Sequence, residues 1–271
     1  MNIIVCIKQV PDAKNVRLDP VTNVMKREGV ESIINPYDMY AVECALRLRD
    51  QFGGKVTALT MGPPQAEQAL RQTVEYGVDE AVLLSDRAFA GADTWATSYT
   101  LAKAVEKIGE FDLIVCGKQA SDGDTAQVGP GLAERLNLPY VCFVRRLAAA
   151  DPEGRKLRVE RMMDDGFDLV ETPLPALITV VKEIAEPRVP SVRGKMKAKK
   201  LIIPVWTRED LNADPDLVGL PGSPTQVVEV FAPKPVGDRM MITGSPEEQV
   251  ERLLAQWKKA NIFGEGKGAG S

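Results

Sequence analysis

The stretch Gly117 to Pro139, GKQASDGDTAQVGPGLAERLNLP, gathers the residue types that hold an anion through main-chain amides. Asp122, Gly123 and Asp124 suit a turn, Thr125 and Gln127 add polar side chains, and Gly129-Pro130-Gly131 stands where a helix from Gly129 to Leu136 would begin. Free N–H groups at such a start, together with the positive end of the helix dipole, favour phosphate or pyrophosphate by roughly 0.3–1 kcal/mol per charge. The pattern is neither G-x-x-x-x-G-K-[ST] nor G-x-G-x-x-G, so a P-loop NTPase and an ordinary NAD fingerprint are both disfavoured. On spacing alone, a Gly/Asp loop leading into a capped helix is the simpler reading.

Three further stretches carry polar chemistry. In SDRAFAGADTWATS, Ser85 to Ser98, Asp93 and Thr94 are natural helix caps; a functional reading adds Asp93, Thr94 and Thr97 as ligand contacts, and spacing leaves both open. INPYD, Ile34 to Asp38, reads as a capped helix start. EPRVPSVRGKMKAKK, Glu186 to Lys200, begins a basic run without interleaved aromatics, which is a solvated surface or a docking segment with Val192 as an apolar anchor framed by charge.

What the chain lacks is equally informative. It contains no histidine, which excludes Ser-His-Asp and Cys-His catalysis and every imidazole-containing metal site. Cys6, Cys44, Cys116 and Cys142 show no C-x-x-C spacing; they read as small buried hydrophobes in a reducing compartment, with no metal centre expected. The 34 Lys and Arg against 38 Asp and Glu leave a net charge of −4, which does not favour nucleic acid. MNIIVCIKQ is too short an apolar stretch for a signal peptide, and no window approaches the roughly 20 apolar residues of a membrane span. A cytoplasmic protein is expected.

The elements that must position these residues follow from periodicity. Short apolar runs at Asn2 to Ile7, Lys55 to Thr60, Glu80 to Leu84 and Leu113 to Cys116 read as strands buried on both faces. Amphipathic segments Pro36 to Gln51, Gln65 to Tyr76 and Asp93 to Ile108 lie between them, with Asn35 as a cap and Gly77 as a left-handed stop. This rhythm predicts an α/β fold, a mainly parallel sheet with helices on both faces, and ligand-binding loops at the carboxyl ends of the strands. Leu157 to Met162, Phe167 to Glu171 and Ala176 to Lys182 read as further strands. From Glu186 repeated prolines suggest an extended arm, followed by a helix from Pro246 to Lys259 and a disordered tail.

Through MNIIVCIKQVPD, INPYD, TMGPPQA, CGKQASDGDTAQVGP, EPRVPSVRGKMKAKK and GLPGSPT, along nearly the whole chain, the sequence resembles the beta subunit of an electron-transfer flavoprotein. The resemblance implies a Rossmann-like nucleotide-binding domain over 1–185, a recognition loop and arm over 186–245 and a terminal helix with its tail over 246–271. It implies a heterodimer with an alpha subunit that carries an electron-transferring FAD. Carried over by motif, the nucleotide contacts are Cys6, Asn35, Pro36, Tyr37, Asp38, Met61, Gly123, Asp124, Thr125, Ala126, Gln127, Val128, Gly129, Pro130, Gly131 and Leu132.

In simple members of the family this nucleotide is a structural AMP, and the protein receives electrons from acyl-CoA dehydrogenases. In bifurcating members the site holds a second FAD that takes hydride from NADH and divides the electrons between ferredoxin or flavodoxin and the alpha-subunit flavin. GADTWATS, GDTAQVGP and GLPGSPT resemble the bifurcating group, which implies Asp93, Thr94 and Thr97 near the flavin. No side chain is then expected to be catalytic, because the flavin carries the chemistry. Val192, where the family usually has leucine, Arg193, Lys195 and Met196 fall in its dehydrogenase-docking loop.

Overall fold

Alternation along the first strand divides the core. In β1 (Asn2–Cys6), Ile3 and Val5 face one side of the sheet and Ile4 and Cys6 the other, each set buried in a separate apolar cluster. The computed structural model of this chain describes residues 1–12, 32–228 and 240–262, with the backbone alone of 17–18 and 25–26.

After β1 come β2 (Gln9–Pro11) and β5 (Ser32–Ile34), an antiparallel pair, and between them the short pair β3 (Arg17–Leu18) and β4 (Met25–Lys26). The alternating part then runs α1 (Pro36–Phe52), β6 (Lys55–Met61), α2 (Glu67–Tyr76), β7 (Glu80–Leu84), α3 (Thr94–Ile108), β8 (Leu113–Gly117) and α4 (Val128–Arg135). Three antiparallel strands follow, β9 (Tyr140–Asp151), β10 (Lys156–Met162) and β11 (Phe167–Pro173), before β12 (Ala176–Val180) returns to the parallel sheet. The order in the nine-stranded sheet is β11-β10-β9-β12-β8-β1-β6-β7, with the short β13 (Val205–Trp206) at the far edge.

Residues from α1 and α2 pack in the cluster with Ile3 and Val5; those from α3 and α4 pack in the cluster with Ile4 and Cys6. From β1 the chain builds outward to β6 and β7, then crosses back to place β8 on the other side of β1. The carboxyl ends of β1 and β8 therefore flank the switch point of the sheet, where open α/β sheets present a crevice. The expected fold class is observed, and so is the expected helix at Pro246–Lys259, α6.

Two features differ from the sequence reading. Tyr140–Asp151, not foreseen as a strand, is the longest in the sheet; Phe143 takes a left-handed φ of 60° where the pairing of β9 with β12 slips by a residue. Such a bulge interrupts the period-2 pattern from which strands are read. Residues 186–228, expected as an arm, belong to the same compact unit as the sheet, and Ile203, Leu211, Ala213 and Val218 are buried in it. The remaining unit, from Glu229, contains α6, closed at its start by a Ser245–Glu248 capping box.

Within 186–228, α5 (Val192–Lys200) is held by polar contacts. The Ser191 hydroxyl caps its start, Arg71 Nη1 donates to the Ala198 and Leu201 carbonyls at its end, and Gly194 lies against the Glu75 carbonyl. A methyl group at Gly194 would overlap that carbonyl. Gly194→Ala is therefore expected to lower stability by about 1–3 kcal/mol, measured by urea unfolding of the full chain.

Candidate functional site

The crevice at the switch point is built around two buried polar side chains. Asn35 occupies the cap position of α1, as the sequence suggests, but its side chain does not cap the helix. Instead Asn35 Nδ2 donates to Asp38 Oδ1 at 2.9 Å and to the Gln119 carbonyl at 2.8 Å, while its Oδ1 accepts from Ser121 N at 3.0 Å. Asp38 also accepts from Lys8 N at 2.7 Å. These bonds tie together the loop after β1, the start of α1 and the loop after β8. Gly117 is required at the same junction, because a side chain there would run into Asp38 and the backbone of Tyr37.

Beyond this junction the loop turns into a cradle. Asp124 and Ala126 take left-handed conformations, φ 51° and 55°, which side-chain-bearing residues adopt only when their surroundings hold them there. Among the described residues, no protein acceptor meets the N–H groups of Thr125 to Gly129, and Gln127 places no side-chain bond on the start of α4. The two neighbouring carboxylates are directed to protein partners: Asp122 pairs with Lys8 Nζ at 2.7 Å, and Asp124 Oδ1 accepts from Gln119 Nε2 at 2.6 Å. A row of unpaired donors with its adjacent negative charges engaged suits an anion.

The glycines divide by role. A Cβ on Gly129 would lie 2.7 Å from Thr179 Cγ2, so this residue allows α4 to pack on the sheet. The space beside Gly123 is open. Gly131 faces Ser98 of α3, and Leu132 is fully buried, its side chain turned into the core. Val128 is partly buried against the same cluster, and Pro130 completes the first turn of α4.

The second predicted stretch reaches the cradle through one bond: Thr94 Oγ1 donates to Gln127 Oε1 at 2.8 Å. Asp93 is fully engaged elsewhere. Its Oδ1 caps α3 through Trp95 N and Ala96 N, and its Oδ2 accepts from both the amide and the hydroxyl of Thr225, in the GLPGSPT segment. Burial opposes its charge, but the bonds from Ala96, Thr225 and Trp95 outweigh burial and hold its carboxyl below the usual range. Thr97 lies in the first turn of α3, partly exposed, and Met61 ends β6 beside the same crevice.

Cys6 and Cys116 face each other across β1 and β8 at the crevice floor. A hydrogen bond with Cys6, reinforced by burial, pushes the Cys116 thiol well above its ordinary range, so Cys116 offers no reactive thiolate. Sequence reasoning did not single out Lys8 or Lys118. Lys8 neutralises Asp122, and the Lys118 ammonium stands 6.0 Å from the Tyr37 ring and 5.5 Å from that of Phe143. Both follow strands ending at the switch point, the one signal that could have marked them. The docking residues Val192, Arg193, Lys195 and Met196 lie exposed on α5, apart from this cluster.

With this geometry in hand, similarity to known proteins is decisive. Residues 22–211 match the family described as "Electron transfer flavoprotein domain". The chain belongs to that family. It is 49% identical over 264 residues to the electron transfer flavoprotein subunit beta of Thermoanaerobacterium thermosaccharolyticum, covering 97% of this chain and all of the relative. It is 48% identical to Caffeyl-CoA reductase-Etf complex subunit CarD of Acetobacterium woodii, over 97% of this chain and all of the relative. Against protein FixA of Azotobacter vinelandii the identity is 48%, covering 97% and 95% of the two chains. The family is one of electron transfer, and the first of these relatives, matched over its whole length, is a beta subunit. Among the described residues no helix is long and apolar enough to cross a membrane.

Asp38 provides a test of the junction. Burial raises its pKa to about 7 despite the bonds from Asn35 and Lys8, so the carboxyl holds its proton over a range where the unfolded chain has lost it. Between about pH 4 and pH 7 the folded state binds the extra proton, and stability falls as pH rises, by up to about 1.4 kcal/mol per pH unit from this group. Asp38→Asn removes that slope. Urea unfolding of both proteins at intervals from pH 4.5 to 8 should therefore give a stability difference that moves in favour of the variant up to about pH 7 and is level above it.

Proposed function

We propose that this chain is the beta subunit of a heterodimeric electron-transfer flavoprotein of the bifurcating kind. It binds FAD at the cradle, accepts hydride from NADH, and passes electrons to ferredoxin or flavodoxin and, through the alpha-subunit FAD, to an acyl-CoA or related dehydrogenase. The observation that carries the nucleotide reading is the row of N–H groups from Thr125 to Gly129 at the switch point, unpaired among the described residues. The pyrophosphate of a dinucleotide fits such a row, and the engaged carboxylates of Asp122 and Asp124 reduce its repulsion. Flavin, when bound, supplies the hydride and electron chemistry that a chain without histidine does not.

The roles left to the protein are binding and orientation. Main-chain donors of 125–129 hold the phosphates, Thr94 fixes the Gln127 amide beside them, and the Asn35–Asp38 junction keeps the loop in place. Asp93 acts by positioning the start of α3 and the 223–225 segment, since its oxygens are already occupied. The bifurcating form is supported by GADTWATS and GLPGSPT, which the Asp93–Thr225 bonds bring together. Likeness to a subunit of a caffeyl-CoA reductase complex supports a CoA-ester dehydrogenase as partner. The exposed Val192 and Met196 on α5, with Arg193 and Lys195, suit its docking, and Val250 and Leu254 on α6 suit the alpha subunit.

Two measurements test this reading. The purified alpha–beta pair is expected to contain two FAD and to bleach rapidly with NADH under anaerobic conditions; one FAD with one AMP would instead identify a simple carrier. At the cradle, Gly123→Val is expected to weaken FAD or ADP binding at least about tenfold, or about 1.4 kcal/mol, with urea stability unchanged because the added side chain enters open space. Unaltered affinity would remove 123–129 as the phosphate site.

A further inference from the structure

Lys8 follows β1 and reaches across the switch point to the loop after β8. Its backbone N–H is fixed by buried Asp38 at 2.7 Å, so the root of the side chain is held while the ammonium extends to the surface. There Nζ bonds both carboxylate oxygens of Asp122, at 2.7 and 2.8 Å. Among the described residues it is the one cation whose side chain bonds to residues 117–127; Lys118, within that stretch, stands by the rings of Tyr37 and Phe143.

This ion pair is suited to exchange. The Lys8 and Asp122 side chains are 49% and 34% exposed, and exposed pairs contribute only about 0–1 kcal/mol. Nor does the path of the loop depend on it, because Asn35 holds Gln119 and Ser121, and the amides of Gly123 and Asp124 close onto the Ala120 carbonyl. Next to Asp122, a side chain placed on Gly123 would meet nothing within 4 Å, and the amides of 125–129, unpaired among the described residues, begin two residues later. One phosphate uses about two or three such donors, so the row with an ammonium at its 122 end has groups for two phosphates.

We propose that Lys8 is a ligand for the second phosphate of a diphosphate, and that Asp122 competes with that phosphate for it. A monophosphate at the start of α4 leaves the ion pair intact; a diphosphate extends toward Gly123, takes the ammonium, and returns the Asp122 carboxylate to water. The inference rests on the nucleotide reading of the cradle and deepens it, since phosphate number becomes the property that the site selects, in favour of a dinucleotide over AMP.

Calorimetric titration of the full chain with adenosine, AMP and ADP-ribose, whose diphosphate is internal as in a dinucleotide, tests it. Lys8→Met is expected to weaken ADP-ribose at least about fivefold and AMP less than about twofold, with adenosine affinity and the urea midpoint unchanged. Asp122→Asn is expected to tighten ADP-ribose about threefold, and by less in the Lys8→Met background, because only with Lys8 present must binding break the pair. Equal weakening of AMP and ADP-ribose in Lys8→Met would place Lys8 at the first phosphate and overturn the selection. A gain from Asp122→Asn that is the same with and without Lys8 would be the additive effect of fixed charges and would overturn the exchange. If Lys8→Met binds ADP-ribose as the wild type does while Gly123→Val weakens it, the cradle stands and Lys8 is excluded from it. If Gly123→Val also has no effect, or the wild type binds none of the three, the nucleotide reading fails together with this proposal.

Discussion

The buried polar junction of Asn35 and Asp38 is the constraint on which the site depends. Polar groups taken from water into a protein interior are costly unless bonded, at roughly 1–3 kcal/mol for each one left unpaired. Here the requirement is met only when three chain segments, separated widely in sequence, lie in one arrangement: the turn after β1, the start of α1 and the loop after β8. Apolar packing brings β1 and β8 side by side, but it is non-directional. The directional bonds of Asn35 convert that proximity into a defined path for residues 117–121.

From that path the cradle follows. The left-handed Asp124 and Ala126 carry local strain, offset by their flanks, with Gln119 bonded to Asp124 and α4 seated on Thr179 through Gly129. The result leaves the amides of 125–129 without a protein acceptor among the described residues, while the neighbouring acids, still at the surface, are engaged by Lys8 and Gln119. Such an arrangement suits an anion, because donors held in place beforehand need little reorganisation to meet one.

The same fold separates two kinds of surface. The carboxyl ends of β1 and β8 present small residues and main chain, suited to a cofactor; α5 presents exposed aliphatics and cations that form no ion pair among the described residues, suited to another protein. Asp93 joins the first of these to the segment leading toward the C-terminal unit, since one carboxylate caps α3 and holds Thr225. Its position in a motif suggested ligand contact, yet its oxygens are spent within the protein.

The parallel sheet was legible because strands buried on both faces read as continuous apolar runs such as IIVC and LIVC, and the helices between them repeat at 3.6 residues. The loop between β8 and α4 was legible as a strand-to-helix junction from its Gly, Asp and Thr, and α6 as a helix from Pro246 to Lys259. By contrast, β9 escaped because its bulge at Phe143 breaks alternation, and residues 186–228 because their prolines conceal how many apolar side chains they bury. Local periodicity and turn chemistry, being properties of neighbouring residues, determined the class of fold and the position of the loop between β8 and α4. Which donors remain free, which carboxylates are engaged, and that Asn35 holds a loop 84 residues away were decided only by the tertiary structure, because hydrogen bonds depend on distance in space and not along the chain.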